Sequence, residues 1–441
     1  MNELDINKCL TIAYNIFILM DKEKNVINPN RRLALKFILA TGAAVLVDIG
    51  FGKTANRYVR LKEFLRTANS IYENQTLSEN EKRTVREILK AKEFQGPFRV
   101  EGNRIADGSG REVQNFLGIN IFDLTRCFGA KFRDLPPVSE GRLDEVLTGI
   151  RQAGFGYVRF LFPREVIGDD QAGEMLLKIF TKLKDHRLLG YPTLESWWRN
   201  HYKPALPELS ANQLEDPQFI RQAIEWARLV SGVLVGHNLQ KSLVGVNILN
   251  EPSMGRNFPQ IIQDLLRGET QEKIIGYIQP VSAELKQTLP NTLITSNLLK
   301  DFNAGFGTRV DLWLGFTSAI DTLSFSCYPD TSFPASLIQS IGEENFSLVE
   351  ALFKNKPVQI DEFSLRRDFY QDKGPQFCRL YAQDLGKMMH MLANPALLGF
   401  WSVQLDEHCW EPEGERRYSL TLPELNGVMI ELAKQSQINS W

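Results

Sequence analysis

Cysteine and histidine are both scarce in this chain, with five of each in 441 residues. Cys9, Cys127, Cys327, Cys378 and Cys409 are odd in number, far apart and free of any Cys-x-x-Cys, so neither a disulfide framework nor a zinc ribbon is indicated. His186, His201, His237, His390 and His408 form no His-x-His and no His-Glu-x-x-His, which argues against a metal-dependent hydrolase. The chain also lacks a Gly-x-x-x-x-Gly-Lys-Ser/Thr loop, and no Gly-x-Gly-x-x-Gly follows its first apolar run, so a nucleotide-binding fold loses ground. A net charge of −2 makes no electrostatic case for nucleic acid or an anionic membrane as the main partner. Internal repeats, Pro-rich linkers and low-complexity tracts are missing too. What remains, at 43% hydrophobic and 24% charged residues, is the composition of a globular protein.

The chain has a strong alternation of strand-like and helix-like segments. Apolar runs bounded by polar or turn residues occur at 115–122, 156–162, 188–194, 243–250, 291–296, 321–328, 357–362 and 397–403. Between and after them lie segments of helical period at 140–153, 170–185, 217–235, 270–288, 345–354, 376–393 and 423–434, with a shorter one near 310–320. Such alternation predicts a parallel sheet covered by helices, and eight units favour a closed (β/α)8 TIM barrel over an open sheet. One barrel of about 340 residues fits the length, with an N-terminal extension to spare.

Two of the eight runs end in an acid. Val244-Gly245-Val246-Asn247-Ile248-Leu249-Asn250-Glu251-Pro252 closes the fourth predicted strand, and Lys356-Pro357-Val358-Gln359-Ile360-Asp361-Glu362-Phe363 closes the seventh. An ionisable group at the carboxyl end of a buried strand escapes the core into the face built by the loops. The stretch from Glu251 to Glu362 has the length that three strand-helix units with their loops occupy, at roughly 30 residues each. Asp361, adjacent to Glu362, is expected on the opposite side of its strand and in a structural role, because successive side chains alternate.

With these residues in view, the chain resembles glycoside hydrolase family 5, the cellulase-like family of clan A, from about Phe98 to the C-terminus. The residues that carry the resemblance are the hairpin from Phe98 to Val113, Gly118-Ile119-Asn120, Val158-Arg159-Phe160, Asn250-Glu251-Pro252, Glu362 and Gly399-Phe400-Trp401. Asp-Gly and Ser-Gly turns support that hairpin independently. The resemblance implies hydrolysis of a β-linked oligo- or polysaccharide with retention, which takes two carboxyl groups about 5–5.5 Å apart and no cofactor or metal. It makes Glu251 the acid/base and Glu362 the nucleophile. Arg159 then pairs with Glu362 and favours its ionised form, Tyr328 donates to the same carboxylate, Asn250 binds the sugar 2-hydroxyl, and Trp401 is the flat floor under a pyranose ring.

Two positions depart from the family pattern. Ser326 stands where a histidine is expected two residues before Tyr328, and the third strand, Gly190 to Glu195, ends without a histidine. Those histidines bind sugar hydroxyls and tune the nucleophile, so their replacement bears on substrate and subfamily. Two alternatives follow: a catalytically silent glycan-binding barrel, and an unrelated barrel hydrolase or lyase. Trp197, Trp198 and Tyr202 after the third strand, and Trp410 after the eighth, are candidates for outer sugar subsites.

Residues 1–95 form a separate, mainly helical unit in this reading, joined to the barrel unit 96–441 near Gln95-Gly96-Pro97. Asn30-Arg31-Arg32-Leu33-Ala34-Leu35-Lys36 leads an apolar run at 37–47, the pattern of a twin-arginine export signal. Against that stand the long leading segment, Asp48 at the end of the run and the lack of an Ala-x-Ala site. This run and the one at 9–20 fall short of the roughly 20 apolar residues of a membrane span. Export, membrane attachment and packed accessory helices in a cytoplasmic protein all stay open, and the sequence does not set an oligomeric state. The charged stretch 68–94 reads as a connector, with Leu77, Val85, Ile88 and Leu89 on it.

Overall fold

The predicted apolar runs become eight parallel strands that close on one another. A computed structural model describes residues 93–132, 135–196, 199–207, 209–210, 212–251, 269–297, 319–327, 357–391, 396–403, 405 and 419–439. Residues 1–92, the helical segment 345–354, most of 310–320, and Tyr328, Trp197, Trp198 and Trp410 lie outside that range.

A two-stranded antiparallel hairpin, β1 (Arg99–Glu101) and β2 (Arg104–Ala106), precedes the barrel. The barrel strands are β3 (Phe116–Asn120), β4 (Tyr157–Leu161), β5 (Leu189–Ser196), β6 (Gly245–Asn250), β7 (Leu293–Asn297), β8 (Leu323–Cys327), β9 (Val358–Phe363) and β10 (Leu397–Trp401). They pair in chain order, and β10 returns to β3 to close the ring. The fold is therefore the (β/α)8 barrel expected from the sequence.

The described helices wrap the outside. They are α1 (Glu140–Gln152), α2 (Arg164–Ile167), α3 (Asp169–Asp185), α4 (Pro217–Gly236), α5 (Glu269–Thr288), α6 (Phe377–Met391) and α7 (Leu422–Asn439). The starts of α1 and α4 are chemically marked. The Ser139 side chain accepts from the backbone N–H of Arg142, and Asp216 accepts from that of Gln218 with Pro217 at the first helical position. Each buries one stripe; in α3 it is Ala172, Met175, Leu176, Ile179, Phe180 and Leu183. The indole of Trp226 on α4 stacks on Phe162 with ring centres 5.5 Å apart and donates to the Phe162 carbonyl at 3.0 Å. No helix among the described residues is long and apolar enough to cross a membrane.

The hairpin closes the N-terminal end of the barrel. Phe98, Ile105 and Val113 pack with Phe116, Tyr157, Tyr191, Val244, Leu293 and Leu397, all buried, and the Leu293 amide donates to the Phe98 carbonyl at 2.7 Å. Tyr157 crosses the lumen so closely that a Cβ on Gly118 would lie 2.0 Å from its ring, which requires glycine there. The turn after β2 is held by Asp107, whose carboxylate accepts from the amides of Ser109 and Arg111 at 3.0 and 2.9 Å. Burial alone would raise this carboxyl; the hydrogen bonds from Ser109 and Arg111 outweigh it and bring the pKa down to about 2.

Both acid-bearing strands carry one residue more than the strand beside them just before the acid, β6 against β7 and β9 against β8. In β6 the register runs from Asn247 opposite Thr295 to Asn250 opposite Asn297, and in β9 from Ile360 opposite Phe325 to Glu362 opposite Ser326. These are β-bulges, which break the two-residue alternation and re-aim side chains. The consequence corrects one expectation. Asp361 does not face away from Glu362; both adjacent acids point into the barrel, where Asn247 Nδ2 and Gln359 Nε2 donate to Asp361 at 2.8 and 2.6 Å.

Candidate active site

The carboxyl ends of β3, β4, β6, β7, β8 and β9 bring seven polar side chains together: Asn120, Arg159, Asn250, Glu251, Asn297, Ser326 and Glu362. Arg159, on β4, is fully buried. Its Nη1 donates to Oε1 of Glu362 at 2.7 Å and to Oδ1 of Asn120 at 3.0 Å, and its Nη2 donates to Oδ1 of Asn250 at 2.6 Å. The guanidinium also lies over the rings of Phe122 and Tyr191, 5.4 and 5.9 Å from their centres. Asn120 is fixed in turn, because its Nδ2 donates to the carbonyls of Asp361 and Phe400 at 2.9 and 3.1 Å.

Glu251 follows β6 with a backbone φ of +47°, in the left-handed region that side chains other than glycine rarely occupy. Its amide donates to the Asn297 carbonyl at 2.7 Å, which holds the turn. The Ser326 hydroxyl donates to Oε1 of Glu251 at 2.6 Å, and Nδ2 of Asn297 donates to Ser326 Oγ at 2.8 Å and to Asn250 Oδ1 at 3.4 Å. One buried chain of contacts therefore runs from Glu251 through Ser326, Asn297, Asn250 and Arg159 to Glu362.

The electrostatics follow from one cation facing two carboxylates. Besides Glu362, Asp361 stands with Oδ2 4.0 Å from Arg159 Nε. Burial would lower the guanidinium pKa, but the charges of Asp361 and Glu362 outweigh it and raise it. Asp361 is pushed up by burial, against the pull of Arg159 and of the Gln359 amide. Tyr191 and Tyr157 are raised by burial first and by the Asp361 charge second, so both phenols stay neutral.

Of the residues singled out from the sequence, Glu251, Glu362, Arg159 and Asn250 come together in this network. Trp401 stands at the end of β10, 8% exposed, with its ring 4.5 Å from that of Phe122 at 55°. Tyr328 lies outside the described residues. Tyr202 is not a subsite residue: it is fully buried and donates its hydroxyl to Glu195, anchoring the segment after β5. Asn297 joins the network from just beyond the fifth predicted run, which stops one residue short of it. A polar residue closing an apolar run, the same signal that exposed Asn250, marks it. Among the described residues, no group of three or more His, Cys, Asp or Glu is placed to hold a metal ion.

No family model matches the chain, and no curated protein matches it. Among solved structures, the fold is similar to that of an exo-β-1,4-mannosidase from an Opitutaceae bacterium, with 15% identity, 78% of this chain and 63% of that one covered, and a TM-score of 0.55. It is similar to an endo-1,4-β-mannanase from Eisenia fetida, with 15% identity, 77% of this chain and 95% of that one covered, and a TM-score of 0.50. An agarase is also similar, with 12% identity, 84% and 70% covered, and a TM-score of 0.51. The chain spans 63% of the length of that mannosidase. At these identities the likeness is one of fold, and it places the chain among TIM barrels.

Proposed function

We propose that the protein is a retaining β-glycosidase of the glycoside hydrolase family 5 type, acting on a β-linked glycan of the mannan or glucan class. The observation that carries this reading is the single hydrogen-bonded chain that links Glu251 to Glu362 through Arg159 and Asn250. It supports a double displacement by offering two buried carboxyl groups at one end of a barrel, one of them ion-paired. The mannan-directed names of two proteins of similar fold support the substrate class.

In this reading Glu362 attacks the anomeric carbon while Glu251 passes its proton to the glycosidic oxygen, and the leaving alcohol departs with that proton. Glu251, now ionised, takes a proton from water. The water oxygen attacks the anomeric carbon, and the ester bond to Glu362 breaks. Asn250 Nδ2 is the donor for the 2-hydroxyl, Trp401 offers its ring to the pyranose, and Tyr328 is a second donor to Glu362. The reaction draws on no cofactor.

The test uses aryl β-mannosides and β-glucosides. Glu362→Ala and Glu251→Ala are each expected to lower turnover by about 10³-fold or more. Added azide restores product as the α-glycosyl azide for the first variant and the β-glycosyl azide for the second. Unchanged turnover in both variants refutes the pair. Glycan binding by the native protein with no cleavage of any β-glycoside or polysaccharide would instead establish the silent barrel.

A further inference from the structure

We infer that Ser326 is a positioning residue for Glu251: Arg159, acting through Asn250 and Asn297, makes Ser326 a fixed donor to Oε1. The inference rests on the proposed acid/base role of Glu251 and on the polarity of the donors between it and Arg159. A guanidinium has donors only, so the Asn250 atom 2.6 Å from Arg159 Nη2 is the carbonyl oxygen. The Asn297 atom facing that oxygen at 3.4 Å is therefore the amide nitrogen. The same nitrogen lies 2.8 Å from Ser326 Oγ, which has to accept from it. The one proton of the Ser326 hydroxyl is then directed at Glu251 Oε1, at a distance typical of a hydroxyl donating to a carboxylate.

Solvent does not scramble this polarity. Ser326, Asn297, Asn250 and Arg159 are each at most 3% exposed. A serine supplies this donor where the resembled family carries an imidazole. The hydroxyl's one proton follows from an orientation set at the other carboxylate's ion pair, so both acids take their bearings from Arg159.

The experiment compares the full chain with Ser326→Ala, Ser326→Thr and Ser326→Cys. Two quantities are read: the basic limb of kcat/KM on an aryl β-glycoside, and the Glu251 titration by carboxyl 13C NMR, assigned by its loss in Glu251→Gln. Removing a donor to the charged form is expected to raise both midpoints by about one pH unit in Ser326→Ala. Ser326→Thr restores both, and Ser326→Cys, similar in size with a weaker donor, moves them part of the way and serves if the alanine variant does not fold. A Glu251 titration that stays in place when the donor is lost overturns the inference. A native protein that cleaves no β-glycoside yet shows the NMR shift overturns the functional reading alone.

Discussion

Asp361 stands with Oδ2 4.0 Å from Nε of Arg159, on the same interior face as its chain neighbour Glu362. One buried guanidinium thus serves two buried carboxylates, and neither acid is exposed by more than 1%. In a site this dry, the cation holds the layer together as well as orienting one member of it.

Replacing Arg159 by methionine removes that cation while keeping much of its stem volume. Truncating one partner of a buried pair costs about 3–5 kcal/mol, because the remaining charge is left uncompensated. Arg159→Met is expected to lose that much in denaturant unfolding and to lower kcat/KM by about 10²-fold or more. Wild-type stability in the variant would show that the two carboxylates do not depend on this pairing.

Gly399 offers a test of how tightly the layer is built. A Cβ there would lie 2.2 Å from the Asp361 carbonyl oxygen and 3.3 Å from Asn120 Nδ2, the donor to that same oxygen. Backbone cannot swing aside as a side chain can, so Gly399→Ala is expected to cost about 1–3 kcal/mol. Because Asn120 also accepts from Arg159, turnover falls with it. Thermal unfolding and kcat/KM measured on the same preparation check both effects.

Glu195 sets a pH dependence of stability that is separate from the proposed chemistry. Burial first, and the Glu165 charge second, push its carboxyl up to about 8, against Arg199 and the Tyr202 hydroxyl. A folded-state pKa above the ordinary 4.5 means stability that is fully present below that value and is lost as pH rises toward 8. Glu195→Gln, permanently neutral, is expected to flatten the decline between those limits and to melt about 4 °C higher than the native protein at pH 8. Parallel melting profiles of the two proteins across this range would refute the raised pKa.

Trp401 separates packing from ligand contact. Trp401→Ala removes a wall of the cluster that holds Phe122, Phe132, Leu161 and Tyr202, a loss of about 3–5 kcal/mol. Trp401→Phe retains an aromatic ring against Phe122. If the indole also stacks on sugar, the phenylalanine variant is expected to fold at near-native stability with KM raised about tenfold and kcat little changed. An unaltered KM in a folded Trp401→Phe protein would confine Trp401 to packing.

Much of this architecture was legible in the sequence because apolar runs at strand length and stripes at helical spacing are direct consequences of burial. All eight barrel strands lie within or beside the predicted runs, and the two terminal glutamates stand out as ionisable groups where a core ends. The bulges were not legible. Nothing in Gln359-Ile360-Asp361-Glu362 signals that a neighbouring strand will be one residue shorter, so alternation placed Asp361 on the wrong face. Asn297 escaped, and Ser326 was marked only as a departure from the family pattern, for a related reason: their significance is a contact across strands, between residues 75 and 29 positions apart. Tyr202 shows the opposite error, since an aromatic in a loop after a barrel strand reads as a ligand platform until its hydroxyl is found against a buried acid.

The small hairpin at the foot of the barrel has a consequence for traffic. With Phe98, Ile105 and the Phe116–Tyr157–Tyr191 ring series filling the lower lumen, the described residues close the interior at its N-terminal end. Among the described residues, approach to Arg159 from this lower end is blocked by packed rings. A ligand held at the opposite, glutamate-bearing end would stand over a polar layer, Arg159 and Asp361, that is already shut away from bulk solvent.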